Sequence, residues 1–238
     1  MAGRDRGASE HSKRRSGDWR IVNDSKRLEA FSDGVMAIAI TLLVLDLHVP
    51  EATSDGGLGA ALRHQWPSYA AYLVSFLIIG IIWINHHAMF VLVRRVDRRV
   101  LFANLALLLV VSVIPFPTRL LAEYLTSGAD SHIAAAAYSV TMFGMALAFT
   151  LLWWAITRDA GLLHDRIDVA ASRATLRRFS VGMIVYAASI AVAFANAYLT
   201  LAVHGALAIY YCFDQLSPTL SGAARTPSGH PDAAEELP

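Results

Sequence analysis

Residues 28–47 read LEAFSDGVMAIAITLLVLDL and form a long, mostly apolar stretch near the start of the chain. Its ionisable side chains are Glu29, Asp33 and Asp46, so the segment from Gly34 to Leu45 carries no charge. A helix of about 20 mostly apolar residues is long enough to cross the hydrocarbon core of a bilayer. The stretch therefore predicts a transmembrane helix with its ionisable groups near the two ends.

The composition of the whole chain agrees with a membrane protein. Of 238 residues, 55% are hydrophobic and 16% are charged, and the mean hydropathy is +0.46. Soluble domains carry about 25% charged residues. The single cysteine, Cys212, excludes a disulfide framework and a cysteine-based zinc site. The net charge of +1 gives no indication of nucleic-acid binding.

Five further apolar stretches follow the first, and together they predict an all-α membrane protein with six transmembrane helices. The predicted spans are residues 28–47, 67–92, 100–121, 133–157, 178–197 and 199–215. The last two are divided between Asn196 and Thr200, because about 37 apolar residues are too many for one crossing. The polar segments 1–25 and 216–238 are predicted to be disordered tails around a transmembrane domain of residues 26–215.

Lysine and arginine lie almost entirely in alternate loops. Of the 20 basic residues, 18 lie before the first span, between spans two and three, between spans four and five, or in the C-terminal tail. Arg63 and Arg119 are the two exceptions. The positive-inside rule then places both termini in the cytoplasm and favours an even number of spans.

The first span offers two polar features with more than one interpretation. Ser32 and Asp33 either fix the helix against its neighbours or cap its N-terminus. Thr41 is the polar member of a stripe of residues spaced i, i+3, i+4 and i+7, which also includes Ile38, Leu42 and Leu45. Such a stripe is more often ordinary helix packing than a pore lining.

Polar residues of the second and third spans lie at a similar predicted depth to Asp33. His86 and His87 point about 100° apart on a helix, so they cannot both bind one ion. One of them is expected to face the bundle, where it could meet Asp33, and Asn104 is expected to join the same buried network. A haem site using His86, His87 or His204 stays open as an alternative.

Motifs of other function classes are absent from the sequence. It contains no phosphate-binding loop, no metalloprotease or hydrolase motif and no T-V-G-Y-G filter. The chain is therefore not predicted to be an enzyme. A secondary transporter of a small cation or solute remains the alternative function, although paired midplane carboxylates and internal repeats are lacking.

Several motifs together resemble one known family. Arg27-x-x-x-Phe31-Ser32-Asp33 resembles the R-x-x-x-F-S-D signature of the lysosomal potassium channel family, transmembrane protein 175. Trp83-x-x-His86-His87 and the run from Asn104 to Pro115-Phe116-Pro117 are also similar to that family. The resemblance covers residues 26–215 and is strongest over the first three spans.

The resemblance implies a potassium-selective channel without a conventional filter loop. Prokaryotic members are similar to one six-span unit and assemble as homotetramers around a central pore lined by the first helix. By position, Ile38 would form the hydrophobic constriction and Leu42 and Leu45 would extend it outward. Thr41 would help to select K⁺, and Asp46 would lie in the outer vestibule.

The signature residues would form a structural network in such a channel. Its members would be Arg27, Phe31, Ser32, Asp33, Trp83, His86 and Asn104. The implied partners are further copies of the chain, K⁺ ions and the lipid bilayer, with no nucleic acid and no cofactor or metal beyond the permeant K⁺. The implied location is the plasma membrane of a prokaryotic cell.

Overall fold

The computed structural model describes residues 25–50, 57–164 and 176–212. Apart from one bridge pair, all regular structure in these ranges is helical. The α-helices are α1 (Ser25–Asp46, ending in the 3₁₀ turn Leu43–Asp46), α2 (Gly57–His64), α3 (Trp66–Phe90), α4 (Arg98–Val113), α5 (Pro115–Tyr124), α6 (Ala129–Thr157), α7 (Leu176–Ala195) and α8 (Ala197–Cys212). A further 3₁₀ turn spans Ala160–Leu162.

Four helical segments in the described part of the chain are long and apolar enough to cross a membrane. They are Ser25–Asp46, Trp66–Phe90, Arg98–Tyr124 and Ala129–Thr157. The predicted first four spans correspond to these segments, while α7 and α8 provide shorter apolar helices in place of the last two. Of the predicted terminal segments 1–25 and 216–238, all but Ser25 lie outside the described residues. Helix α2, in the predicted loop after the first span, was not anticipated.

Proline and asparagine divide the longer apolar stretches. Pro115 begins α5 directly after Ile114, because proline has no N–H to continue the hydrogen-bond ladder of α4. The break between α7 and α8 lies at Asn196, within the range where the sequence divides spans five and six. The Oδ1 atom of Asn196 accepts a hydrogen bond from the Leu199 N–H at 2.9 Å, so its side chain caps α8.

Helix α6 occupies the centre of the bundle and packs on α4, α5, α7 and α8. Leu107 of α4 and Leu152 and Trp153 of α6 are fully buried. Helix α1 lies at the edge, where Met36 and Leu43 belong to the same core. The bundle therefore buries α1 on one side only.

Residues that follow α3 and residues that follow α6 meet at one end of the bundle. Val93 and Leu163 form an antiparallel bridge pair, and the backbone N–H groups of Arg94 and Arg95 donate to the Leu162 carbonyl at 2.8 and 3.2 Å. Residues between α3 and α4 thus lie beside residues that follow α6. This common end agrees with the alternation of charge in the sequence.

Leu107→Ala should destabilise the bundle, and Leu109→Ala should not. Leu107 is fully buried, whereas Leu109 is 66% exposed on the same helix. Lipid is as apolar as leucine, so lost packing contacts should account for a cost of about 1–2 kcal/mol at Leu107. Unfolding by sodium dodecyl sulfate in mixed micelles would measure the free energy of unfolding of both purified variants. Equal stability of the two variants would contradict the assigned core.

Candidate functional site: the two faces of the first helix

Helix α1 has one buried face and one exposed face. Small and apolar side chains at a spacing of three or four residues form the buried face: Ser25, Leu28, Ser32, Met36, Ala39 and Leu43. The opposite face turns away from the rest of the bundle. Because both faces are largely apolar, polar contacts are needed to explain which one is buried.

The residues predicted to line a pore all lie on the exposed face. Ile38 is 62% exposed, Leu42 is 42% exposed and Leu45 is 71% exposed. Thr41 is exposed between them. These four side chains form one continuous strip along the C-terminal half of α1.

The hydroxyl group of Thr41 turns back to its own helix. It lies 2.9 Å from the carbonyl oxygens of both Ala37 and Ile38, to which it donates its single hydrogen. With its hydrogen engaged, the oxygen presents lone pairs only. The exposed strip therefore contains an oxygen ligand within an apolar surface.

A directed chain of hydrogen bonds holds the opposite face. The Ser32 hydroxyl donates to the Leu28 carbonyl at 2.8 Å, so its oxygen accepts from the Asn104 amide Nδ2 at 2.8 Å. The Asn104 Oδ1 atom then accepts from the His86 Nε2–H at 2.9 Å. These three polar side chains are fully buried and join α1, α4 and α3.

The direction of this chain also fixes the state of His86. Its Nε2 atom must carry hydrogen, so Nδ1 of the neutral ring is an acceptor. Within the described residues Nδ1 has no hydrogen-bond partner, and the ring stacks on Phe90 with centroids 4.5 Å apart. His86 is therefore held by Asn104 through Nε2 and by Phe90 through its ring face.

Two further contacts connect α1 to α3 nearer the solvent. Trp83 Nε1 donates to Asp33 Oδ1 at 3.0 Å, and His87 Nδ1 lies 2.7 Å from Glu29 Oε1. The sequence suggested that an inward histidine could meet Asp33, but Trp83 occupies that position and His86 binds Asn104. His87 points toward the exposed side of the bundle, and its contact with Glu29 was not anticipated.

Three other predicted residues lie apart from the buried chain. Arg27 is exposed and Phe31 is 54% exposed, both on the side of α1 that carries Ile38. Asp46 ends the 3₁₀ turn of α1, half-buried and within the electrostatic influence of Arg119 and Glu123 of α5. Arg119 and Glu123 form an ion pair of 2.8 Å.

A second buried polar cluster was missed by sequence reasoning. The Ser189 hydroxyl donates to the Tyr186 carbonyl at 2.7 Å, so it accepts from His204 Nε2–H at 2.9 Å. Ser75 contacts both Thr118 and Tyr138 through hydroxyl groups at 2.8 and 2.9 Å. The cluster joins α3, α5, α6, α7 and α8. In the described ranges no three His, Cys, Asp or Glu residues form a metal-binding group.

Known proteins are similar to this chain in both sequence and fold. The family model described as endosomal/lysosomal potassium channel TMEM175 matches residues 27–115. A Streptomyces collinus protein named as a potassium channel is 56% identical over 204 residues, which cover 85% of this chain and 99% of the relative. The chain belongs to the TMEM175 family. The resemblance inferred from the R-x-x-x-F-S-D signature is thereby confirmed.

Two comparisons with Chamaesiphon minutus support the membership. A protein from this organism that is named as a potassium channel is 39% identical over 191 residues, which cover 79% of this chain and 94% of the relative. The crystal structure of a lysosomal potassium-selective TMEM175 homologue from C. minutus superposes with a TM-score of 0.72 at 38% identity. That match covers 81% of this chain and 98% of the other. Family membership identifies a membrane channel protein and not an enzyme.

Asn104→Leu should destabilise this TMEM175-family chain strongly. It leaves the His86 Nε2–H and the Ser32 oxygen buried without partners, and each such group costs about 1–3 kcal/mol. Thermal unfolding of the detergent-purified protein would measure the loss. Ser112→Ala is the matched control, because the exposed Ser112 hydroxyl on the same helix bonds only to the Leu109 carbonyl. Unchanged unfolding of Asn104→Leu would refute the assigned chain of hydrogen bonds.

Proposed function

We propose that this chain is the subunit of a potassium-selective channel in which four copies surround a pore lined by α1. The observation that carries the proposal is the exposed strip of α1, an apolar surface interrupted by one oxygen ligand. The opposite face is anchored to α3 and α4 by buried hydrogen bonds. The relatives from S. collinus and C. minutus are named as potassium channels, and this function is carried over to the chain as part of the proposal.

One copy of the strip cannot enclose an ion path, because its surface is open on one side. Repetition of α1 around an axis would close the path. Gly34 and Ala37 are exposed on the same side as Ile38, and small residues allow helices to approach closely. The sequence has no internal repeat, so the additional first helices must come from further copies.

A ring of Ile38 side chains would form the gate. Water leaves a narrow apolar constriction, and a hydrated cation then meets a barrier. Leu42 and Leu45 would continue the apolar wall toward the outer end. A conventional filter loop is not required for this kind of gate.

Thr41 would supply selectivity. Its oxygen presents lone pairs toward the proposed path, where four copies could replace part of the hydration shell of K⁺. Four hydroxyl oxygens offer fewer ligands than stacked carbonyl rings do, so selectivity over Na⁺ should be modest. Asp46 would lie in the outer vestibule and raise the local concentration of cations.

The remaining residues of the signature would hold the pore helix in position. Ser32 and Asp33 contact α4 and α3, while Arg27 and Phe31 would face the inner mouth of the pore. The distribution of basic residues favours both termini in the cytoplasm, and the resemblance to prokaryotic members of the family favours the plasma membrane.

Ile38→Asn should increase K⁺ flux by hydrating the constriction. Lowering the barrier by about 1.4 kcal/mol corresponds to a tenfold faster flux. Purified protein in liposomes with a K⁺ gradient would give the rate. Ile84→Asn is the control, because Ile84 is 59% exposed on α3, outside the proposed pore. Absence of K⁺ flux in the wild type, or equal flux in both variants, would reject the gate, and saturable coupled uptake would favour a transporter.

Thr41→Val should reduce the preference for K⁺ over Na⁺. Valine keeps the shape of threonine but removes the oxygen ligands, so the permeability ratio should fall toward one. The ratio can be measured from reversal potentials in planar bilayers. Thr141→Val on α6 is the control, because the Thr141 hydroxyl also bonds back to its own helix, at the Ala137 carbonyl. A ratio unaffected by Thr41→Val would contradict the role in selection.

A further inference from the structure

Helix α2 is a short amphipathic helix that takes no part in the proposed pore. Its residues Leu58, Ala61 and Leu62 lie at helical spacing on one side, and Arg63 lies about 100° around the helix from Leu62. Leu58 is 53% exposed and Leu62 is 41% exposed. No side chain of α2 is buried by the described residues. The helix therefore presents an uncovered apolar face beside a basic residue.

Helix α2 lies at one end of the bundle, because only Gln65 separates it from the membrane-spanning helix α3. Gln65 has a ψ of 10°, far from the α-helical value of about −42°. Pro67 has no N–H to extend the hydrogen-bond ladder across this point. Helix α2 is therefore not a straight continuation of α3. The bridge pair of Val93 and Leu163 lies beyond the other end of α3.

Aromatic side chains mark the membrane boundary at the end of the bundle where α2 lies. Trp66 and Tyr198 stack with ring centroids 6.0 Å apart, and they join the start of α3 to the start of α8. Trp66, Tyr69 and Tyr198 are between 37% and 49% exposed. Partly exposed Trp and Tyr rings at the ends of spans concentrate at the level of the lipid headgroups. Leu62 precedes Trp66 by only four residues, so the apolar face of α2 lies close to that level.

The basic end of α2 suits the same location. Arg63 and His64 end the helix, which contains no acidic residue. Arg63 is one of two basic residues outside the predicted cytoplasmic segments, so the positive-inside rule does not account for it. An arginine at a bilayer surface extends its guanidinium group to phosphate oxygens, while its methylene stem stays among apolar groups.

We propose that α2 is an interfacial helix that binds the bilayer surface on the side away from the Val93–Leu163 bridge pair. Leu58, Ala61 and Leu62 insert among the headgroups and the upper acyl chains, and Arg63 faces the headgroup phosphates. Helices with one apolar face and a basic polar side lie in the plane of the interface in this way. The helix thus fixes the depth of the N-terminal end of α3 in the membrane.

Spin labels on α2 test the proposal in liposomes. Cys212 is the only cysteine of the chain, so Cys212→Ser provides a cysteine-free background. Leu58→Cys, Leu62→Cys and Arg63→Cys are then labelled singly with a nitroxide. Power-saturation electron paramagnetic resonance compares collisions with oxygen, which partitions into lipid, and with a nickel chelate, which stays in water. The ratio of oxygen to nickel collisions should be several-fold higher at positions 58 and 62 than at position 63.

Two outcomes would overturn the proposal. Equal ratios at the three positions would exclude the interfacial orientation, and strong nickel collisions at all of them would place α2 in water. Weak collisions with both reagents at positions 58 and 62 would show that protein covers the face, as in a contact with a second copy. If Leu62→Cys does not purify as a folded protein, Leu58→Cys provides the comparison with Arg63→Cys. Ion flux is not measured, so the result is independent of the channel function.

Discussion

The hydrogen bonds from His86 through Asn104 to Ser32 determine which face of α1 the bundle buries. In a bilayer, apolar packing alone gives little preference, because lipid solvates an apolar helix face as well as a neighbouring helix does. Polar groups do have a preference, since an unsatisfied group in hydrocarbon costs several kcal/mol. Once Ser32 faces Asn104, the helical repeat places Met36, Ala39 and Leu43 inward. The same rotation leaves Ile38, Thr41, Leu42 and Leu45 outward.

Apolar packing and buried polar contacts have the same two roles in the rest of the bundle. Close packing around α6 supplies the van der Waals contacts, and the cluster around His204 and Ser75 fixes the relative rotation of α3, α5, α6, α7 and α8. The bridge pair of Val93 and Leu163 joins residues that follow α3 and α6, and both side chains belong to the same buried core. These contacts leave α1 as the helix at the edge of the described bundle, with one of its faces uncovered.

Sequence reasoning was most informative where a residue was rare in its surroundings. His86 and Asn104 stand out because polar side chains are costly within apolar spans, and their shared depth predicted a network. Sequence reasoning failed where the outcome depended on helix rotation. Trp83 and His86 lie three residues apart on one face of α3, so their spacing alone does not determine which of them contacts Asp33. Ser75 and Ser189 gave no signal, because a serine in a helix usually bonds to its own backbone.

The contacts of Ser32 with α4 and of Asp33 with α3 fix the N-terminal part of α1, so the rest of the helix can bend relative to this fixed part. Gly34 follows directly, and no atom of the described residues lies within 4 Å of where its side chain would be, so no side chain of the same copy blocks a bend there. A tilt of about 5° at Gly34 would move Leu45, about 16 Å further along the helix, by roughly 1.4 Å, but Ile38 by only about 0.5 Å. Such a bend would separate the outer leucines of facing helices far more than the isoleucines. In the proposed ring of four copies, such a bend would widen the path at Leu45 more than at Ile38.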